Sequence, residues 1–338
     1  MLIICINHGG VSMSVKSFAF RRNCSKSDRI RNAFLEWPEG VDAERDIDYL
    51  AGPGTNPELR ARYRSNDSYH KMDIYFPKGS KAPLPTVVSI HGGGFVYGTK
   101  EVYQYYGASW AEMGFTFVNF NYHLAPKTKF PTQLEEVNAV MTWLLANGLD
   151  HHVDPEHLFL VGDSAGAQMC SQYAAIATNT RYASLFDFKV PEGLHFQAIA
   201  LNCGMYRLLP EKVDHTVSGA RAKAAEAVGA VSDKFTLDLT KDYLGKGDWE
   251  EDPRIDVLSH ITIDYPPTYV MTSYYDFLKK NAQPMYEFLK GKKIWTEYKC
   301  YGEKGQLHMA HVCHVDMNLK EARLINRDEA DFFWRMME

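Results

Sequence analysis

The chain has 338 residues, 45% of them apolar and 13% aromatic, and its 37 Lys and Arg stand against 42 Asp and Glu for a formal net charge of −5. That supply of buryable side chain excludes a disordered segment and suffices for one large core, although about 150 residues per domain would also allow two units. No basic block is present that could follow a phosphate backbone, so a nucleic-acid partner is not expected.

The opening Met1 to Ile6 is too short, and lacks the basic flank, for a secretory signal. No apolar run approaches the roughly 18 residues that span a bilayer, and a cytoplasmic location is expected. Asn7 to Met13 offers no periodic face, so the first dozen residues read as a frayed extension. A charged stretch follows to about Arg64, with Ser25 to Phe34 in one or two helices and no evident place in a sheet. Residues 1–60 are therefore expected to form an N-terminal extension and lid arm, and 61–338 the main domain.

From Lys71 onward short apolar runs alternate with helical patterns, the signature of a mostly parallel sheet flanked by helices. The expected strands are Met72 to Phe76, Thr86 to His91, Phe115 to Tyr122, Leu158 to Val161, Phe196 to Asn202, Thr268 to Thr272 and Thr296 to Tyr301. Helices are expected over Pro131 to Ala146, where Leu134, Val137, Met141, Leu144 and Leu145 recur at helical spacing, and over Leu319 to Phe333. Met205 to Lys246 interrupts this rhythm and reads as a helical insertion, a lid. The six cysteines, Cys5, Cys24, Cys170, Cys203, Cys300 and Cys313, are scattered and read as reduced thiols.

Two glycine motifs carry the chemistry. His91-Gly92-Gly93-Gly94 ends the second run, and its four residues would arise by chance about 0.005 times per chain. A glycine-lined loop can aim backbone amides at a developing oxyanion, because no Cβ blocks the approach. Gly162-Asp163-Ser164-Ala165-Gly166 lies between a strand and a helix, in a turn that lifts Ser164 out of the sheet. Gly93, Gly94 and Ala165 are the expected oxyanion donors, and Phe95 and Tyr97, next along the loop, the expected substrate contacts. The absence of G-x-x-x-x-G-K-[ST] and G-x-G-x-x-G argues against a phosphate cradle.

A serine is a poor nucleophile unless a histidine takes its proton and a carboxylate orients that histidine. Asp276, just past the strand Thr268 to Thr272, is better placed for this than Asp256 or Asp264, which precede it. His308, His311 and His314 recur every third residue after the last strand, and position alone does not separate them. The three could also converge on zinc, but no H-E-x-x-H accompanies them and no catalytic metal is expected.

With these motifs the chain resembles the hormone-sensitive-lipase-like branch of the α/β-hydrolase superfamily from about Tyr69 onward. Tyr122-His123-Leu124-Ala125-Pro126-Lys127 is similar to that family's Tyr-Arg-Leu-Ala-Pro-Glu segment, with His123 and Lys127 in place of Arg and Glu, and Asp276-Phe277-Leu278 to its Asp-x-Leu motif. The resemblance implies an α/β-hydrolase fold with a helical lid, and His311 as the base, although Val312-Cys313 lacks the family's aromatic. It further implies a serine carboxylesterase acting on short acyl esters through an acyl-enzyme, with a small-molecule ester as partner and no cofactor. An amidase or formamidase, or a binding module without catalysis, would share much of this pattern. The assembly state stays open, a homodimer among the options.

Overall fold

The computed structural model describes residues 14–63, 67–209 and 234–338. The frayed first dozen residues expected from the sequence, and positions 210–233 of the Met205–Lys246 insertion, lie outside the described residues.

Eight strands form one sheet in the order β1-β2-β4-β3-β5-β6-β7-β8. They are β1 Val41–Asp48, β2 Lys71–Pro77, β3 Leu84–Ile90, β4 Thr116–Phe120, β5 Val153–Asp163, β6 Phe196–Asn202, β7 Thr268–Ser273 and β8 Thr296–Tyr301. β1 and β2, and β2 and β4, pair antiparallel; every other pairing is parallel. The seven expected strands are all present, β6 and β8 with the expected ends and the other five with shifted ones.

β1 corrects the reading of the N-terminal stretch as lying outside the sheet. Its sequence, Val-Asp-Ala-Glu-Arg-Asp-Ile-Asp, suits an exposed edge strand, where polar residues discourage further pairing. Its alternation is also broken, because the register shifts between Glu44 and Ile47 and Asp46 takes a φ of 58°. A period-two pattern is the signal that betrays a strand, and here the irregularity erases it.

The middle strands are apolar because both faces are covered. Along β5, Leu158 and Leu160 join one core layer while Phe159 and Val161 join the other. The first layer is closed by α4 (Thr132–Asn147) and α5 (Ala165–Thr178), the second by α3 (Gln104–Ala111) and the C-terminal helix Lys320–Arg335, while the short α2 (Pro57–Ala61) lies in the connection from β1 to β2. α4 realises the predicted spacing, with Leu134, Val137, Met141 and Leu144 fully buried.

α1 (Val15–Asn32) is a polar helix capped by Ser14, whose side chain accepts from the Ser17 amide. Contacts made elsewhere hold it in place. Phe20 packs edge-on to Phe235 at 5.4 Å in the helical residues 234–244, Lys16 pairs with Asp238, and the Arg21 Nε donates to the Val96 carbonyl at 2.7 Å. The five described cysteines are free thiols, and no helix among the described residues is long and apolar enough to cross a membrane.

Candidate active site

Ser164 stands between the end of β5 and the start of α5, at φ 55° and ψ −116°. A non-glycine residue held there stores about 1–3 kcal/mol of strain, so its surroundings must enforce it. A Cβ on Gly166 would come within 2.0 Å of the Ile90 carbonyl, and this close approach is what the second glycine of the motif permits. The Ser164 amide donates to the Asn202 carbonyl at 2.9 Å, and the Asn202 side chain donates to Glu329 at 2.9 Å. Burial pushes the Glu329 carboxyl up to about 8, so it sits as a neutral acid behind the turn.

The acid and the base come from the loops after β7 and β8. Tyr275 donates its amide to the Met309 carbonyl at 3.0 Å and Ser273 its hydroxyl to the Ala310 carbonyl at 2.8 Å, which brings the two loops together. His311 Nδ1 then lies 2.6 Å from Asp276 Oδ1, and His311 Nε2 lies 3.0 Å from Ser164 Oγ. Burial raises the Asp276 carboxyl, but the His311 imidazole, the Thr272 hydroxyl at 2.7 Å and the Leu278 amide at 2.8 Å outweigh it and hold the group below its usual range. Asp276 is therefore an anion at neutral pH, placed to favour the tautomer that leaves Nε2 free to accept from serine.

Neither of the other two histidines bonds Ser164 or Asp276, although His308 also lines the cavity in front of the serine. His308 is 43% exposed and lies 3.5 Å from Glu321. His314 is buried edge-on to Tyr106, and burial pushes its pKa down to about 3. A left-handed Val312, at φ 56°, turns the chain between His311 and His314 and separates their directions.

The glycine loop passes in front of Ser164. Gly93 has φ 113°, and a Cβ there would strike the Tyr97 carbonyl at 2.1 Å. The Gly92 amide is already engaged by Asp163 at 3.1 Å and by the Tyr103 hydroxyl at 3.0 Å, whereas no described residue accepts from the amides of Gly93 or Gly94. Asp163 thereby ties the nucleophile turn to the glycine loop; burial pushes its carboxyl up to about 6. The sequence motif contained Asp163, but only the fold reveals this linking role. Ala165 opens α5, so its amide and the positive end of the helix dipole point the same way.

Ser164, Gly93, Gly94, Ala165 and His311 line a cavity of about 410 Å³, together with Phe95 and Tyr97. Phe95 is fully buried and stacks on Tyr243 at 3.9 Å, so most of its ring is committed to packing. Tyr97 donates its hydroxyl to Asp28 at 2.7 Å. The opposite wall comes from α1: Phe20, Cys24, Ser27, Asp28 and Arg31 all face in. Their spacing of four, three, one and three residues is one helical face, a signal available in the sequence.

Two described groups of three side chains bring possible metal-ligating atoms within 4.8 Å of one another: Cys203, Asp276 and His311, and His70, His123 and Glu136. In the first, Asp276 and His311 are already engaged with each other and Ser164, and burial pushes the Cys203 thiol far up, which disfavours the thiolate a metal needs. His308, His311 and His314 do not gather in either group.

A family described as the alpha/beta hydrolase fold matches residues 87–312. Human hormone-sensitive lipase is 29% identical over 153 residues, covering 44% of this chain and 14% of that protein. The bovine counterpart is 36% identical over 158 residues, 46% of this chain and 18% of the other, so the match spans less than a fifth of either lipase. Versiconal hemiacetal acetate esterase from Dothistroma septosporum is 26% identical over 234 residues, 68% of each chain. Among solved structures, esterase B from Lactobacillus Rhamnosis superposes with a TM-score of 0.77 at 23% identity, covering 95% of this chain and 94% of that one. An esterase from Pyrobaculum calidifontis gives 0.71 at 21% identity, covering 95% and 94%. With its parallel sheet, its serine turn at the end of β5 and a family match over two thirds of its length, the chain belongs to the alpha/beta hydrolase fold family.

Proposed function

We propose that the protein is a serine carboxylesterase that hydrolyses short-chain acyl esters through an acyl-enzyme. The observation that carries this reading is the continuous hydrogen-bonded line from Asp276 through His311 to Ser164, at 2.6 and 3.0 Å, opening into the glycine-lined cavity. Ser164 Oγ attacks the ester carbonyl as His311 Nε2 takes its proton, and Asp276 steadies the imidazolium through Nδ1–H. The carbonyl oxygen gains charge and accepts from the amides of Gly93, Gly94 and Ala165. The tetrahedral species expels the alcohol, which leaves with the proton from His311. Water then enters by the same route, and the second collapse frees the acid and Ser164.

A cavity near 410 Å³ is at the small end of ligand sites, which supports short acyl chains. Phe95 shapes its floor from within the packed core, Tyr97 its rim, and α1 with the helical residues 234–244 act as the lid. The same line of groups would serve an amide, so the test pairs the two. Nitrophenyl esters of graded chain length are run beside a matched amide and an organophosphonate inhibitor, with mass spectrometry of the labelled peptide. The expected result is label on Ser164, turnover of acetyl and butyryl esters and a steep fall for long chains. Unlabelled Ser164 with no ester turnover would sink the proposal, and preference for the amide would replace esterase by amidase.

A further inference from the structure

A second buried cluster lies away from the cavity, between the segment that enters β2, the loop after β4 and α4. His70, His123 and Glu136 come from these three elements and are respectively 0%, 3% and 0% exposed. His70 has no hydrogen-bond partner on either ring nitrogen, although it is packed between Tyr49 and Tyr63. Leaving a buried polar group unpaired is costly, and here two on one ring are left so. Its Nε2 is 3.8 Å from Glu136 Oε1, too long for a hydrogen bond. The same carboxylate oxygen lies 2.6 Å from His123 Nδ1, and Glu136 Oε2 accepts from the His123 amide at 2.8 Å.

We propose that His70 Nε2, His123 Nδ1 and Glu136 Oε1 form a binding site for a divalent cation of the zinc type, with Asp67 fixing the orientation of His123. Two imidazoles and one carboxylate are a borderline-soft set that suits zinc over magnesium or calcium. Bonds of about 2.0–2.1 Å to a tetrahedral ion set its ligands about 3.3 Å apart, which lies between the two distances to Glu136 Oε1, so small shifts of both histidines would suffice. Asp67 Oδ2 is 3.1 Å from His123 Nε2. A carboxylate on the far nitrogen of a ligating histidine selects the tautomer whose near nitrogen holds a free lone pair. Charge also closes: a dication with neutral imidazoles balances Asp67 and Glu136. On binding, the proton that His123 Nδ1 shares with Glu136 goes to solvent and the nitrogen lone pair goes to the ion, with no change of oxidation state. Its place gives the ion a mechanical role, because the neighbouring Tyr122 hydroxyl donates to the His91 carbonyl at 2.9 Å and the Ala125 amide to the Phe95 carbonyl at 2.9 Å, both in the glycine loop.

The test uses the full chain, stripped with a chelator and titrated with Zn²⁺ against a chromophoric competitor, and with Co²⁺ for its visible absorption. One equivalent of Zn²⁺ at micromolar Kd or tighter is expected, with tetrahedral Co²⁺ bands. His70→Phe, which keeps the ring volume, should weaken binding at least ~100-fold, and Asp67→Asn about 10–100-fold. His311→Ala should leave it unchanged, separating this site from the catalytic cluster. Asp67 is partly exposed, so its variant decides the matter if His70→Phe fails to fold. No binding below about 100 µM, an equivalent indifferent to Asp67→Asn, or one lost in His311→Ala would overturn the proposal.

Discussion

Two histidines in this molecule sit 2.6 Å from a carboxylate through Nδ1, His311 beside Asp276 and His123 beside Glu136, yet their surroundings fit them for different work. His311 turns its other nitrogen to a serine hydroxyl at the wall of a cavity; His123 turns its own to a second carboxylate, the partly exposed Asp67. A histidine–carboxylate pair is thus common currency in a folded chain, and the atom facing the far nitrogen decides what it can do. The first pair can pass a proton because its outer partner is a neutral donor that substrate can reach. In the second both nitrogens are committed to anions, which makes a brace or a cation site of it.

The largest effects should separate the two regions cleanly. Ser164→Ala and His311→Ala should each cost at least ~10⁴-fold in ester turnover while the fold survives, since the triad acts as a unit. His308→Ala should stay within a few-fold of wild type, because its ring pairs with Glu321 near the solvent. Single-turnover kinetics on the three variants would check this, and an active His311→Ala would break the contrast at its root.

Glu136→Gln should act in the opposite sense, on stability and not chemistry. Removing one partner of a buried ion pair strands the other, at a cost of about 3–5 kcal/mol. The lower end is expected here because Asp67 remains on His123. Denaturant unfolding of the chelator-stripped protein measures the loss, and a drop in turnover at unchanged stability would show that the cluster belongs to the chemistry after all.

Gly93→Val comes next, on the cavity side. Its side chain would collide with the Tyr97 carbonyl and move an amide that no described residue uses, for a loss of about 10²–10³ in kcat. Because Gly93 supplies no ligand to the His123 cluster, zinc should still bind in this variant. Normal turnover would remove Gly93 from the oxyanion site.

Reading the sequence fared differently in these two regions, for physical reasons. The glycine loop and the serine turn were legible because backbone geometry admits few residues there: the close approach at Gly166 and the positive φ of Gly93 leave a mark in the sequence itself. Spacing did not choose among His308, His311 and His314, and only the resemblance favoured His311, since neither the left-handed Val312 that parts His311 from His314 nor the Glu321 that meets His308 shows in the spacing. Asp276 could be placed because a carboxylate just past a buried strand has few alternatives. β1 was missed where the break at Asp46 hid its alternation. His70 left no sign at all, because a lone histidine before a strand says nothing about the loop and helix that will meet it.

The subtlest way to sharpen the contrast is pH, since the two pairs respond with opposite sign. Asp276 has a depressed pKa in the folded state, so it binds fewer protons there than in the unfolded chain. Its contribution to stability is present above the ordinary carboxylate value near 3.8 and is lost as pH falls through the folded value. For His123, burial pulls the pKa down, but the Glu136 carboxylate, followed by Asp67, outweighs it and the net shift is upward. That contribution is complete below the unfolded value of 6.5 and is lost as pH rises through the folded one. In chelator-stripped protein, the stability gap between wild type and His123→Phe should therefore shrink from pH 6 to pH 9, while the gap to Asp276→Asn holds steady over that range and narrows only in strong acid. Urea unfolding at four pH values reads both, and a His123→Phe gap that stayed flat to pH 9 would mean that His123 carries no imidazolium between its two carboxylates.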